Sequence, residues 1–164
     1  MNLKPIPTFD GPLADAFAEA KELVEPRFVP QPYYTDDRGY SLMNQMIGVL
    51  DPAGQINFSV QYPGVIKAWH RHTKQTDFWM CLHGHLRVGV HREQDNQSWT
   101  VVTGPTKPGV AVIPPPLWHG AATVGPDPAG LLYYVTHQFD PNEPDEFRRE
   151  HDSIEGFPWT VQHR

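Results

Sequence analysis

The feature that most restricts how this chain can fold is its punctuation. From Ser41 to about Phe139, short runs with a strand pattern alternate with glycine and proline breakers. The runs are 41–49, 54–62, 64–72, 77–83, 85–92, 98–103, 109–113, 120–124 and 131–138. Between them stand Asp51-Pro52-Ala53-Gly54, Pro63-Gly64, Gly84, Gly104-Pro105, Pro114-Pro115-Pro116 and Gly125-Pro126-Asp127-Pro128. Short strands at this spacing predict an all-β sandwich or barrel. The length, 164 residues, suits one domain. A chain of that size buries roughly 70% of its unfolded surface and needs no covalent staple. No internal repeat or low-complexity segment interrupts it.

One helix is expected, over residues 10–26. Asp10 can cap it, Pro12 suits its first turn and Pro26 ends it. Leu13, Phe17, Ala20 and Val24 form its apolar face, so it reads as an arm packed on the body or on a partner subunit. Residues 27–39 read as a loop leading into a turn at Asp36-Asp37-Arg38-Gly39. Residues 140–150 read as a charged turn or short helix. Phe157-Pro158-Trp159 is apolar enough to pack back onto the body.

Composition excludes several classes of partner. Nineteen acidic and 13 basic residues leave a formal charge of −6, which argues against a nucleic-acid surface. A few local Arg and Lys can still bind a phosphate. No stretch approaches a membrane span, and MNLKPIPTFD lacks the apolar run of a signal peptide. The single cysteine, Cys81, cannot form an internal disulfide. A cytoplasmic protein is expected.

Chemistry concentrates between Gly64 and Gly84, GVIKAWHRHTKQTDFWMCLHG. His70 and His72 are two apart, so on a strand they share a face, about 6.6–7 Å apart. After a turn at Thr73-Lys74-Gln75, alternation puts Asp77, Trp79, Cys81 and His83 on one face of the next strand. Two imidazoles and a carboxylate can converge across such a pair. A hydrogen-bonded polar barrel mouth explains any one of them, and all three together less well.

Gly64, His70, His72, Asp77 and Gly84 are similar to the first signature of the cupin superfamily, with Asp in place of the usual Glu. GVAVIPPPLWHG, 109–120, resembles the second half-signature through Pro114 and His119, with Pro116 where Gly is usual. The resemblance implies a single jelly-roll (cupin) barrel over 31–164 with a helical arm over 1–30. Within the superfamily the chain resembles the dTDP-4-dehydrorhamnose 3,5-epimerase family. Asp36-Asp37-Arg38-Gly39 is similar to the turn whose Arg meets a diphosphate. QINFSVQYPGVIKAWH, 55–70, resembles the strand that lines the pocket, Ile113-Pro114 and His119-Gly120 a later turn, and Leu132-Tyr133-Tyr134 the strand bearing a catalytic Tyr. By this resemblance His70 is the base, Tyr133 the acid and Asp152 the partner of His70. Arg38, Gln55, Asn57, Lys67, His72 and His119 contact substrate. A sugar or nucleotide-linked keto-sugar is the implied small-molecule substrate. A homodimer, with Arg38 reaching across its interface, is the implied assembly, and no cofactor is needed.

Epimerisation beside a ketone needs a base, an acid on the opposite face and a positive or hydrogen-donating group at the ketone oxygen. Three positions depart from the family. Lys67 replaces Arg, His72 replaces Gln, and Asp77 replaces the Lys that faces the developing oxyanion. An ionised Asp77 would repel an enolate about 4 Å away by several kcal/mol in a partly buried site. A protonated Asp77, a nearby cation or a metal could remove the conflict. The same changes rebuild the cupin metal set His70, His72, Asp77 and His119, suited to divalent Zn, Fe, Mn, Ni or Cu. A metal-free epimerase, a metal-dependent cupin enzyme and a sugar-binding module without turnover are thus the three readings. The breadth of the match places the first ahead.

Elsewhere the expectations are structural. His83, His85, His91, His137, His151 and His163 belong to strand ends or solvent, and Cys81 to the core. Trp69, Trp79, Trp99 and Trp118 belong to core or rim, with Trp118 flanking the mouth beside His119. Strict alternation points Lys67 away from His70 unless a bulge intervenes.

Overall fold

A computed structural model describes residues 1–161, so His163 lies outside the described residues. The strands are β1 (Asn2–Pro5), β2 (Arg27–Pro30), β3 (Tyr34–Asp36), β4 (Gly39–Ser41), β5 (Gln55–Gln61), β6 (Ile66–Arg71) and β7 (Asp77–His83). They continue with β8 (His85–Arg92), β9 (Gln97–Thr103), β10 (Gly109–Ile113), β11 (Trp118–Val124), β12 (Ala129–Val135) and β13 (Phe147–Arg148), and α1 spans Leu13–Leu23. Two sheets face each other, β1-β9-β8-β11-β6-β13 and β2-β10-β7-β12-β5, and β3-β4 is a separate hairpin. This is the expected jelly roll, open at its edges. Among the described residues no helix is long and apolar enough to cross a membrane.

Three apolar layers result. Between the sheets lie Trp79, Cys81, Leu86, Val88, Val90, Trp99, Ala111, Ile113 and Leu131. On the outer face of the five-stranded sheet, Val29, Phe78, Met80, Val110, Val112 and Tyr134 meet α1 through Leu13, Ala16 and Ala20. On the outer face of the six-stranded sheet, Trp69 and Trp118 meet Ile154, Phe157 and Trp159 of the tail. Trp69 packs edge-on against Phe157 at 4.8 Å, as the apolar tail led us to expect.

Several boundaries differ from expectation. α1 begins after Pro12, which is itself the N-cap, and Asp10 makes no side-chain cap. It ends at Val24 in the left-handed region, whose N–H bonds to the Ala20 carbonyl. The strand expected over 41–49 is a turn, because Met46 and Val49 are the residues it buries and their spacing of three suits a turn rather than a ladder. The loop expected over 27–39 holds β2 and the β3–β4 hairpin. β2 is drawn in by Arg27, whose buried guanidinium bonds Glu19 at 2.6 Å and the Pro26 carbonyl at 2.9 Å. Within 140–150, β13 pairs with β6, placing Arg148 opposite His70.

Candidate functional site

The interior of the sandwich is apolar at one end and polar at the other. β5 turns Gln55, Asn57, Ser59 and Gln61 inward. With His70, His72, Asp77, Trp79 and Tyr133 these line a cavity of about 830 Å³. Segment 138–149 forms its outer wall through Phe139, Asp140, Glu143, Asp145, Glu146 and Arg148.

The floor is a cluster of four side chains contributed by both sheets. His70 stands on β6 and His119 opposite it on β11, His72 follows β6, and Asp77 opens β7. One ligand-type atom from each lies within 4.8 Å of the other three. The rings of His70 and His119 have centroids 4.2 Å apart, and those of His70 and His72 lie 5.5 Å apart. Asp77 is held on both oxygens: Gln75 Nε2 donates to Oδ1 at 2.8 Å and Trp79 Nε1 to Oδ2 at 3.0 Å.

Two of the histidines have fixed orientations. His119 Nδ1 donates to the Leu117 carbonyl at 2.9 Å, and His72 Nδ1 donates to the Asp145 carbonyl. Their Nε2 atoms therefore face Asp77, at 3.5 Å from Oδ2 for His119 and 3.9 Å from Oδ1 for His72. Neither separation is a hydrogen bond. His119 Nε2 is buried without a hydrogen-bond partner.

Burial pushes the Asp77 carboxyl up, but the close approach of the His119 ring, and then of His72 and His70, outweighs it and leaves the pKa at about 2. Asp77 is ionised at neutral pH. Burial, reinforced by His119, lowers His70 well below the ordinary histidine value, so its ring is neutral. Tyr133 is raised above the ordinary tyrosine value by burial and then by the charges of Asp77 and Glu146, so its hydroxyl keeps its proton.

The bulge required for Lys67 is present. The β6–β11 register slips between His119, opposite His70, and Ala121, opposite Lys67. Trp69 is turned into the outer apolar layer, and Lys67 joins the cavity lining with His70.

Two expected residues stand elsewhere. Asp152 is exposed and outside the cavity lining, so the expected His70–Asp152 pair is corrected. The turn that carries it is fastened to the outer face, where the His151 carbonyl accepts Trp69 Nε1 and Trp159 Nε1, both at 3.0 Å. Asp77 is instead the carboxylate that acts on His70. Arg38, with its side chain 85% exposed, sits at the tip of the β3–β4 hairpin and pairs with Asp36 at 3.1 Å. It does not line this chain's own cavity.

Two other expectations also change. Trp118 lies in the outer layer under the Arg149 guanidinium, 3.7 Å from the ring centroid, and not at the mouth. His91 is buried, with Nδ1 2.9 Å from Ser98 Oγ. Gln75, Trp79, Asp145, Glu146 and Arg148 are cavity residues that sequence reasoning did not single out. For Trp79 the signal was available, since it shares a strand face with Asp77. For 145–148 it was not, because only pairing with β6 brings them in.

Comparison with known proteins gives the family and the fold. The model of the polysaccharide biosynthesis C-terminal domain family matches residues 34–147, more than half of the chain. The chain belongs to this family. A spore coat polysaccharide biosynthesis protein of Bacillus subtilis is 33% identical over 139 residues, 80% of this chain and 92% of that protein. A relative in Haloferax volcanii named "probable low-salt glycan biosynthesis epimerase" is 36% identical over 101 residues, 58% of this chain and 65% of that protein. A dTDP sugar isomerase from Desulfovibrio desulfuricans G20 shares the fold of this family member, with a TM-score of 0.72 and 23% identity over 82% of this chain and 90% of that one. The cupin jelly roll of the dTDP-sugar epimerases is thus the fold of this polysaccharide biosynthesis domain.

Proposed function

We propose that this protein is a carbohydrate epimerase or isomerase that moves a proton beside the ketone of a nucleotide-linked sugar, with His70, His72, Asp77 and His119 as a divalent-metal site. Polysaccharide and glycan biosynthesis in the relatives supports the sugar, and the dTDP sugar isomerase supports the nucleotide.

One observation carries the metal. Two imidazoles have given their Nδ1–H to backbone carbonyls and turn Nε2 toward an ionised carboxylate without bonding it. If Nε2 bears a lone pair, it faces a negative oxygen in a buried site, which is repulsive. A cation among the four atoms turns that repulsion into attraction, and Nδ1–H to backbone carbonyl is the outer-shell support that ligand histidines have. Gln75 and Trp79 orient the carboxylate in the same way. The donor set, three imidazoles and one carboxylate, suits a first-row transition metal with open positions. This reverses the order in which sequence alone placed the metal-free and metal-bound readings.

When bound, such a metal would act as a Lewis acid toward the ketone oxygen. His70 cannot ligate and serve as base through one nitrogen, so proton traffic falls to groups beside the cluster. Tyr133, protonated at neutral pH, donates to the reacting carbon from the β12 wall. Glu146, whose charge acts on Tyr133 and which lines the same cavity in a two-point pair with Arg148 at 3.0 and 3.1 Å, is the carboxylate that would accept the proton removed. Gln55 and Asn57 offer amides to sugar hydroxyls.

We infer a homodimer through the outer face of β5. That strand is inverted relative to a solvent edge, with polar residues inward and Ile56, Phe58 and Val60 outward, 57%, 60% and 49% exposed. Phe58 stands beside Leu132, and the strip extends the apolar face that α1 covers only in part. A second copy covering it is what the exposed Arg38 needs to reach a diphosphate outside its own cavity.

The test is elemental analysis of protein purified without a metal-affinity tag, joined to solvent-deuterium incorporation into a nucleotide-linked keto-sugar. One metal per chain with exchange is expected. Exchange with no metal returns the reading to a metal-free epimerase, and neither property leaves a binding module.

A further inference from the structure

The turn from His72 to Asp77 carries two of the four clustered side chains, and residues 73–75 within it are held by one carboxylate from a distant part of the chain. Asp145 Oδ1 accepts the Thr73 N–H at 2.9 Å and the Thr73 hydroxyl at 2.6 Å. Asp145 Oδ2 accepts the Lys74 N–H at 2.8 Å and the Gln75 N–H at 3.4 Å. A carboxylate offers about four acceptor sites, and these are filled. The backbone carbonyl of the same residue takes His72 Nδ1–H. Gln75, whose N–H is one of the four donors, passes its side-chain amide on to Asp77.

The segment that carries Asp145 is the outer wall of the cavity. It leaves the body where the Phe139 N–H bonds Gln55 Oε1 at 3.0 Å and returns where the Trp69 N–H bonds the Arg149 carbonyl at 2.9 Å. Between those points β13 pairs with β6 at Phe147 and Arg148, and Asp145 ties the segment to the turn 73–75.

We propose that Asp145 is a positioning residue: its carboxylate clamps segment 138–149 onto the turn 73–75, and so places the carbonyl that sets the His72 ring and the Gln75 amide that sets Asp77. This rests on the ligand role of His72 proposed above. Its consequence is coupling. A substrate pressing on the wall is felt at His72, and filling of the cluster stiffens the wall. His119 takes its orientation from Leu117 on another loop and is independent of the clamp.

That independence makes the test specific. Side-chain nitrogen NMR of the metal-free protein reads the tautomer of each histidine, and titration with cobalt(II) alone reads affinity through its visible absorption. In Asp145→Ala we expect His72 to lose its single tautomer, His119 to keep its own, amides 73–75 to exchange faster, and cobalt affinity to fall 10–100-fold, the usual loss when outer-shell support is removed. Asp145→Asn and Thr73→Val should shift the same signals by less, and they carry the test if the alanine variant does not fold. An unchanged His72 ring, or His72 and His119 altered alike, overturns the clamp. A parent protein that takes up no cobalt removes the metal reading, and the tautomer of His72 alone then decides the proposal.

Discussion

His119 Nε2 lies 3.5 Å from Asp77 Oδ2, facing it without bonding it, while the other nitrogen of the same ring is held at 2.9 Å by the Leu117 carbonyl. Asp77→Asn keeps the size of the side chain and removes the charge. If a cation belongs between the two atoms, the variant should lose bound metal and sugar exchange together. Asp77→Lys should do the same more completely. His72→Gln should also lose metal. Metal analysis and deuterium incorporation on the three variants check this, and exchange retained in all of them would end the metal reading.

Asp77→Ala should cost stability as well. It strands Gln75 Nε2 and Trp79 Nε1, two partly or fully buried donors. Each orphaned buried donor costs about 1–3 kcal/mol. Denaturant unfolding of chelator-treated protein should show a lower midpoint than Asp77→Asn, whose amide oxygen can still accept one of the two.

Tyr133 should separate chemistry from binding. Tyr133→Phe removes the proton donor and leaves the cluster intact. Loss of a positioned general acid lowers the rate by roughly 10²–10⁴-fold. Metal content and the affinity for a nucleoside diphosphate should not move. A variant that exchanges deuterium at the parent rate would demote Tyr133 to a ligand contact.

Assembly and phosphate recognition should be lost at different residues. Phe58→Glu places a charge on the outward face of β5 and should give monomers by sedimentation equilibrium. Arg38→Ala should leave the dimer and the fold intact and weaken nucleoside diphosphate binding, because a guanidinium fork matches a phosphate. A monomeric parent protein would remove the trans role of Arg38.

Acid should destabilise the metal-free chain in two steps. Burial is the leading cause of the lowered pKa of both His70 and His91. The folded chain resists their protonation while the unfolded chain accepts protons near 6.5. Stability is therefore complete above 6.5 and declines as the pH falls below it. Asp77 adds a second loss, from its ordinary 3.8 down through about 2, because its ionised form is the one the fold favours. Melting temperatures between pH 8 and pH 2 should show both declines, the first reduced in His91→Asn.

Much was legible in the sequence because it depends on short-range pattern. Glycine and proline breakers determined where chains turn, and alternation determined which residues share a face. That placed β7, β8 and β10 at their observed bounds, brought His70, His72 and Asp77 to one side, and assigned Cys81 to the core, where burial lifts its thiol to about 11. The likeness of 109–120 to a second signature added His119. Tertiary structure decided what depends on pairing between distant segments. Asp152 follows the tail to the outer face because Trp69 and Trp159 both bond the carbonyl of His151. Lys67 reaches the cavity because β6 carries one residue more than β11 across from it. Residues 145–148 look like any charged turn until β13 pairs with β6 and Asp145 finds the amides of 73–75. A hydrogen bond between residues some seventy positions apart leaves no periodicity in the sequence, so the orientation of His72 was decided by the folded chain alone.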